Sequence, residues 1–289
     1  MKKLTQEKLN EMLDQHELWR ENRNIGKRLD ISYCDVSGLD FSNRNMRGSN
    51  MSGAYMRGVN MSGANMRDSN MSGAYMRGVN MSGANMRGSN MSGAYMRGVN
   101  MSGANMRGLN MSGADMRGAD MSDANMSDAN MSGANMRGAD MRGADMSDAN
   151  MSGADMRGAY MSDANMSDAN MSGANMRGAD MRGANMRGAD MSDANMSGAN
   201  MRGSNIDYVS LFDATGNSVN IITIQLGKYT VNYTHDRMQI GCKNYPIKEW
   251  FNFSDEKIES MDNRALDWWN KYKYFIKQAI ELTPALKTR

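Results

Sequence analysis

The chain has 289 residues, of which 30 are Gly and 36 are Met against 2 Pro, 2 Cys, 5 Phe and 2 His. That balance excludes an ordinary mixed-core enzyme and, without Pro or a three-residue Gly period, a collagen-like rod. With 34 Lys and Arg against 32 Asp and Glu, the net charge of +2 gives no overall pull toward nucleic acid or an anionic membrane.

Residues 1–30 read as an N-terminal helical cap. The segment from Met1 to Glu7 lacks the apolar stretch of a signal peptide, and no apolar run in the chain is long enough to span a bilayer, so a soluble cytoplasmic protein is expected. Thr5 is placed to cap a helix carrying Leu9, Met12, Leu13, His16 and Trp19 on one face. Such a face would cover an open edge and apolar interior in whatever follows.

Residues 31–213 are a repeat. Met recurs at every fifth residue from Met46 to Met201, and the phase runs back through Phe41, Val36 and Ile31 and on through Ile206 and Leu211, giving 37 pentapeptides, 32 of them centred on Met. Two residues before each centre stands a small or apolar residue such as Ala54, Val59 or Leu109; just before it stands Asn, Asp or Tyr; Ser or Arg and then Gly or Asp follow. A period of five fits neither 3.6 nor 2, so the chain must turn once per pentapeptide, with Gly, Asp and Ser supplying the turn chemistry. Tyr at 55, 75 and 95 and Val at 59, 79 and 99 reveal a second period of twenty, or four pentapeptides per coil.

The units Ala-Asn-Met-Ser-Gly, Ala-Asp-Met-Arg-Gly and Ala-Asn-Met-Ser-Asp resemble those of the pentapeptide repeat family, whose centre is usually Leu or Phe. The resemblance implies an all-β solenoid, a right-handed quadrilateral β-helix with the centre and the small residue two before it pointing inward. About nine coils at the strand spacing of about 4.8 Å would make a rod of about 43 Å. Met at the centres implies a filled but softer core. The leader from Leu4 through Trp19 to Gly26 and Lys27 is also similar to leaders of this family.

Residues 214–289 change composition. Val219 to Gln225, Tyr229 to Thr234 and Arg237 to Ile240 predict a small β-meander, and Pro246 and Ser254 mark the starts of helical turns. Ala265, Trp268, Trp269, Tyr272, Phe275, Ile276, Ala279 and Ile280 form a stripe at helical spacing. This α+β unit would cap, dimerise or dock. Ile240-Gly241-Cys242, Trp250, Phe253-Ser254-Asp255, Met261-Asp262 and Leu266-Asp267-Trp268-Trp269 resemble a segment of bacteriophage-associated reading frames, which implies a phage-encoded protein.

Chemistry is sparse. His16 and His235 are isolated, and Cys34 and Cys242 are far apart with no CxxC, so no catalytic constellation, metal site, cofactor or disulfide framework is indicated. The surface columns carry more. Residues twenty apart stack, so Arg57, Arg77, Arg97, Arg117, Arg137, Arg157 and Arg177 form one ladder, and Arg47, Arg67, Arg87 and Arg107 form another on the opposite side. Tyr55, Tyr75 and Tyr95 run beside Arg57, Arg77 and Arg97, a strip suited to an acidic partner or nucleic acid, or else a by-product of repeat duplication. Charge is also polarised: 44–117 holds nine Arg and two Asp, whereas 118–213 holds seven Arg and fourteen Asp. The second ladder gives way to Asp128, Asp145, Asp148 and Asp168, which suggests head-to-tail or antiparallel self-association. Some members of the family mimic DNA and bind type II topoisomerases, but the near-neutral total and short acidic stretch fit that pattern poorly. The expected function is therefore a non-enzymatic protein-interaction rod that modulates a host protein. DNA mimicry and a structural, self-assembling role stand as alternatives, and Trp268 and Trp269 as tail docking candidates weighed against core packing.

Overall fold

The computed structural model describes residues 1–207 and 209–288. From Asp30 to Asn195, the residue before each repeat centre makes one parallel bridge to the residue twenty positions on, the last reaching Thr215. Each coil therefore has four sides, each a single bridging residue followed by a turn. On one side the Met51 N–H donates to the Asn70 carbonyl at 2.7 Å and the Gly53 N–H to Ser72 at 2.9 Å, while the Ala54 N–H closes the turn on Met51 at 3.2 Å. Main-chain groups thus pair coil to coil or within the turn, as buried backbone must.

The residue before the centre has a second task. Its side-chain oxygen accepts the N–H two residues on, as Asn110 does from Ser112 at 3.1 Å and Asp120 from Ser122 at 3.0 Å. This Asx geometry explains why Asn and Asp alternate freely there. Among the described residues the last turn position of the repeat is left-handed: Asp128, Asp148 and Asp168 have φ of 59°, 56° and 57° in a column otherwise mostly glycine. Asp tolerates that conformation better than most side chains.

The Met centres and the Ala, Val and Ser two before them face inward and are fully buried. Ser49, Ser69 and Ser89 make one polar inner column, whose hydroxyls bond one another or main-chain carbonyls: Ser69 Oγ donates to the Met46 carbonyl at 2.9 Å. The flexible thioethers therefore fill the interior, with hydroxyls satisfied wherever they intrude.

The proximal end is covered by α1 (Gln6–Glu21), capped by Thr5, whose hydroxyl accepts the Lys8 N–H at 3.2 Å. Lys3 bridges Asp35, so the leader pairs with the first coil before the helix lays Leu9, Leu13 and His16 over its interior. Trp19 stacks on His16 with ring centroids 5.4 Å apart. Gly26 packs against α1 at φ +70°, where an added Cβ would fall 2.2 Å from the Gln15 carbonyl oxygen. His16 Nδ1 accepts the Leu29 N–H at 3.0 Å, which requires an unprotonated Nδ1. Burial, reinforced by Arg20, lowers the His16 pKa from its ordinary 6.5. A depressed folded pKa means stability that is complete above about 6.5 and lost as pH falls toward the folded value. Tryptophan emission from the native chain is expected to report loosening of this cap as pH falls below about 6.5, absent in His16→Gln.

The distal unit is a four-stranded antiparallel sheet in the order β1 (Ile222–Leu226), β2 (Tyr229–Tyr233), β3 (Arg237–Ile240), β4 (Lys243–Pro246). Helices α2 (Ile247–Asn252), α3 (Asp255–Glu259) and α4 (Ala265–Leu282) follow. The meander thus has one strand more than expected, and its first strand starts later. Asn217 is the reason: its Oδ1 accepts the N–H groups of Val219, Asn220 and Ile221, folding 217–221 into a tight turn. One face of the sheet carries Val231, Tyr233, Met238 and Ile240 against Trp250, Trp269 and Ile276. The other is polar and meets the last coil: Gln239 Oε1 accepts the Leu211 N–H at 2.7 Å, Asn232 Nδ2 donates to the Leu211 carbonyl, and Asn244 Nδ2 to Val209. Polar side chains in place of an added strand close the exposed edge, so both ends of the coil stack are covered. Gln239→Ala leaves the Leu211 N–H buried without an acceptor and is expected to cost about 1–3 kcal/mol, read as a lower urea midpoint at unchanged slope.

Candidate functional site

The repeat geometry carries Tyr55, Tyr75 and Tyr95 outward on one side, bridged in sequence between Asp35 and Asp115. Their rings stack at 4.5 and 4.9 Å between centroids and 12° and 5° between planes. With 39%, 41% and 51% exposure they form a partly open aromatic wall. Arg57, Arg77 and Arg97 follow two residues later and, with Ser37, line a shallow groove along it. Among the described residues none of these three arginines has an ion pair.

The rest of the ladder differs. Arg117 turns back onto Asp115 at 2.5 Å and Arg157 onto Asp155 at 2.6 Å, while Arg137 and Arg177 stand beside Asn135 and Asn175. On the next side Arg142 and Arg182 take Asp140 and Asp180 the same way. These four carboxyls are held below the usual carboxylate range, chiefly by the guanidinium hydrogen bonds. An Asp two residues before an Arg thus cancels it locally, whereas a Tyr there leaves it open. Of the expected seven rungs two are closed, and three of the open ones stand beside tyrosines; the Asp or Tyr two residues before each Arg was the signal in the sequence that marks the difference.

The acidic candidates also divide. Asp128 is paired with Arg107 at 3.0 Å. Asp145 is half-buried and structural, its Oδ1 accepting from the Ser147 N–H, the Ser147 hydroxyl and Asn165 Nδ2. Asp148 and Asp168 are exposed at the turn. In the tail, Trp269 is 5% exposed, and Trp268 Nε1 donates to the Leu226 carbonyl at 2.7 Å, so both tryptophans fix α4 to the sheet. Phe275, expected in the core stripe, is 52% exposed beside Tyr274, because the buried line of α4 runs through Trp269 and Ile276 one position away. The structure therefore separates the tail tryptophans from the tyrosine and arginine face, at opposite ends of the molecule.

Among the described residues no group of His, Cys, Asp or Glu is arranged to hold a metal, and no helix is long and apolar enough to cross a membrane. Among curated proteins none matches this sequence. Three solved structures similar to the chain are HetL, a pentapeptide repeat protein involved in heterocyst differentiation regulation from Nostoc sp. strain PCC 7120, a trypsin-treated QnrB1, a plasmid-mediated fluoroquinolone resistance protein, and a pentapeptide repeat protein of the Arabidopsis thaliana thylakoid lumen. HetL is 21% identical over 66% of this chain and 90% of its own, with a TM-score of 0.23. QnrB1 is 18% identical over 64% and 82%, with a TM-score of 0.42. The Arabidopsis protein is 24% identical over 48% and 68%, with a TM-score of 0.15. The profile described as pentapeptide repeats matches eight copies, in stretches that run from 34–73 and 54–93 through 124–163 to 164–203. With the match, the coil of four pentapeptides and the inward Met columns in agreement, the chain belongs to the pentapeptide repeat family, whose fold is the right-handed quadrilateral β-helix.

Proposed function

We propose that this chain is a non-enzymatic interaction rod of about nine coils that binds an acidic protein surface along Tyr55, Arg57, Tyr75, Arg77, Tyr95 and Arg97. The observation that carries this reading is the contrast within one ladder: three arginines beside stacked tyrosines are left without carboxylates, whereas Arg117 and Arg157 are neutralised. Unpaired guanidiniums stacked one coil apart repel one another, a standing cost that an anionic partner removes. Planar donors beside stacked aromatic rings also give that partner a rigid, weakly hydrated surface. The resemblance of the tail to phage reading frames supports a host protein as the target.

DNA mimicry is the second reading, supported by the exposed Asp148 and Asp168. Its ladder is short, because Asp115, Asp140, Asp155 and Asp180 are each consumed by an arginine. Capture from nuclease-treated bacterial lysate separates the two. The interaction reading expects one stoichiometric protein, retained by Asp148→Asn with Asp168→Asn and lost with Arg77→Glu. Retention by Arg77→Glu, with loss on the Asn changes and competition by duplex DNA, would replace it with mimicry.

A further inference from the structure

The side opposite the tyrosines carries a different pattern. Arg47, Arg67, Arg87 and Arg107 climb one column, and where it ends Asp128, Asp148 and Asp168 begin in the adjacent turn column. Arg47 and Arg107 each reach the Asp one coil on, at 3.1 and 3.0 Å, which shows that a guanidinium on this side spans the gap between the columns. Among the described residues Arg67, Arg87, Asp148 and Asp168 have no ion pair, and Arg67 Nε has no hydrogen-bond acceptor. Two blocks of opposite charge, each with two unpaired rungs, thus flank the internal Arg107–Asp128 pair.

This arrangement is self-complementary about one point. A two-fold axis lying across the side between those two rungs would set a second copy antiparallel, with Arg107 facing Asp128, Arg87 facing Asp148 and Arg67 facing Asp168, each pair occurring twice. A slip of one coil brings Arg107 onto Arg107 or Asp128 onto Asp128, and a parallel copy in register sets every arginine against its twin. The outermost Arg47 meets Arg187 but is already neutralised by Asp68. Pitch selects the same occupant. Rungs rise about 4.8 Å, whereas an extended peptide repeats side chains on one face every 6.6–6.8 Å or so and drifts out of phase within a few rungs. Another coil stack stays in register along the whole block, and this chain contains one of the required sign.

We propose that the chain forms an antiparallel homodimer through this side, in the register that pairs Arg87 with Asp148 of the second copy. The contact is made of charges that are exposed or, at Arg67, half-buried, so it is weak, salt-sensitive and leaves the tyrosine side open.

The test exchanges dipeptides that other coils already use, so the backbone conformation is kept. One variant carries Arg87→Ser with Gly88→Asp; the other carries Ser147→Arg with Asp148→Gly. Sedimentation equilibrium of the full chain at about 20 mM salt is expected to show mass rising with concentration toward twice 32.0 kDa, and falling back to the monomer near 0.5 M salt. Each variant alone opposes like charges and is expected to lose at least about tenfold in association constant. Mixed one to one, the two restore opposite charges at both sites and recover it. A native chain that stays monomeric at low salt, or a mixture no better than its parts, would overturn the proposal. So would association that survives both variants and is lost with Phe275→Ser, which would move the interface to the tail.

Discussion

Met131→Asp is expected to break the coil stack in two. Met131 sits at mid-rod with 0% exposure, and the inward positions around it are Met and Ala, which offer a carboxylate neither a donor nor a cation. A buried, unpaired charge costs about 3–5 kcal/mol even where a partner was merely removed, and there is no partner here to begin with. Because each coil contacts only its neighbours, the loss is local before it is global. Met131→Leu keeps volume and is expected to change stability by less than about 1.5 kcal/mol. The four tryptophans allow the parts to be followed separately, since Trp19 lies on the proximal cap and Trp250, Trp268 and Trp269 lie in the distal unit. In urea, the native chain is expected to lose far-ultraviolet signal and tryptophan emission together, whereas Met131→Asp loses the backbone signal first and with a shallower slope. Coincident transitions at the native midpoint would show that the inward column is not the core.

Arg77→Glu is expected to abolish capture of the partner without touching the fold. The residue is the middle rung of three, exposed, and free of ion pairs among the described residues, so its replacement removes no internal contact. It lies between Arg57 and Arg97, where an inserted carboxylate would both subtract a cation and engage its two neighbours. Central aromatic and arginine anchors typically carry about 2–4 kcal/mol of binding energy. Loss of roughly 30-fold to several hundred-fold is therefore expected, by titration calorimetry against the captured partner. Tyr75→Ala is expected to weaken binding comparably, because Tyr75 stacks on both Tyr55 and Tyr95 and its removal frees each of them. Arg137→Glu supplies the control, since it changes the same ladder by the same charge two coils beyond Arg97. If it weakened binding as much, the general field of the rod would be responsible and the tyrosine face would not be the site.

The periods of five and twenty, visible in the sequence, set the coil, the inward placement of Met and the stacking of every surface column. The Thr5 and Ser254 caps were equally legible, because each depends on a side chain bonding a main-chain group three residues away. So was the charge reversal along the rod, which is only a count. Residue contacts that combine a local choice with a neighbour were legible only in part: the residue two before each Arg is written in the sequence, but which way the guanidinium turns is not. Arg97 and Arg117 occupy the same column and the same unit, yet one is open and one is closed, because Tyr95 offers no acceptor where Asp115 offers a carboxylate. Asp145 and Asp148 are three residues apart, but one faces the Asn165 amide and the other faces solvent. Phe275 and Ile276 are adjacent on a helix whose burial is set by the sheet beneath it. The distal cap depended on tertiary structure most of all. Gln239 and Asn232 read as ordinary strand residues, and only folding the meander back over the last coil brings them to the Leu211 main chain, 28 and 21 positions away. A repeat fixes its own geometry through contacts that recur at constant separation; its ends lack the next coil, so their closure is decided by whatever polar groups the rest of the chain can bring to that edge.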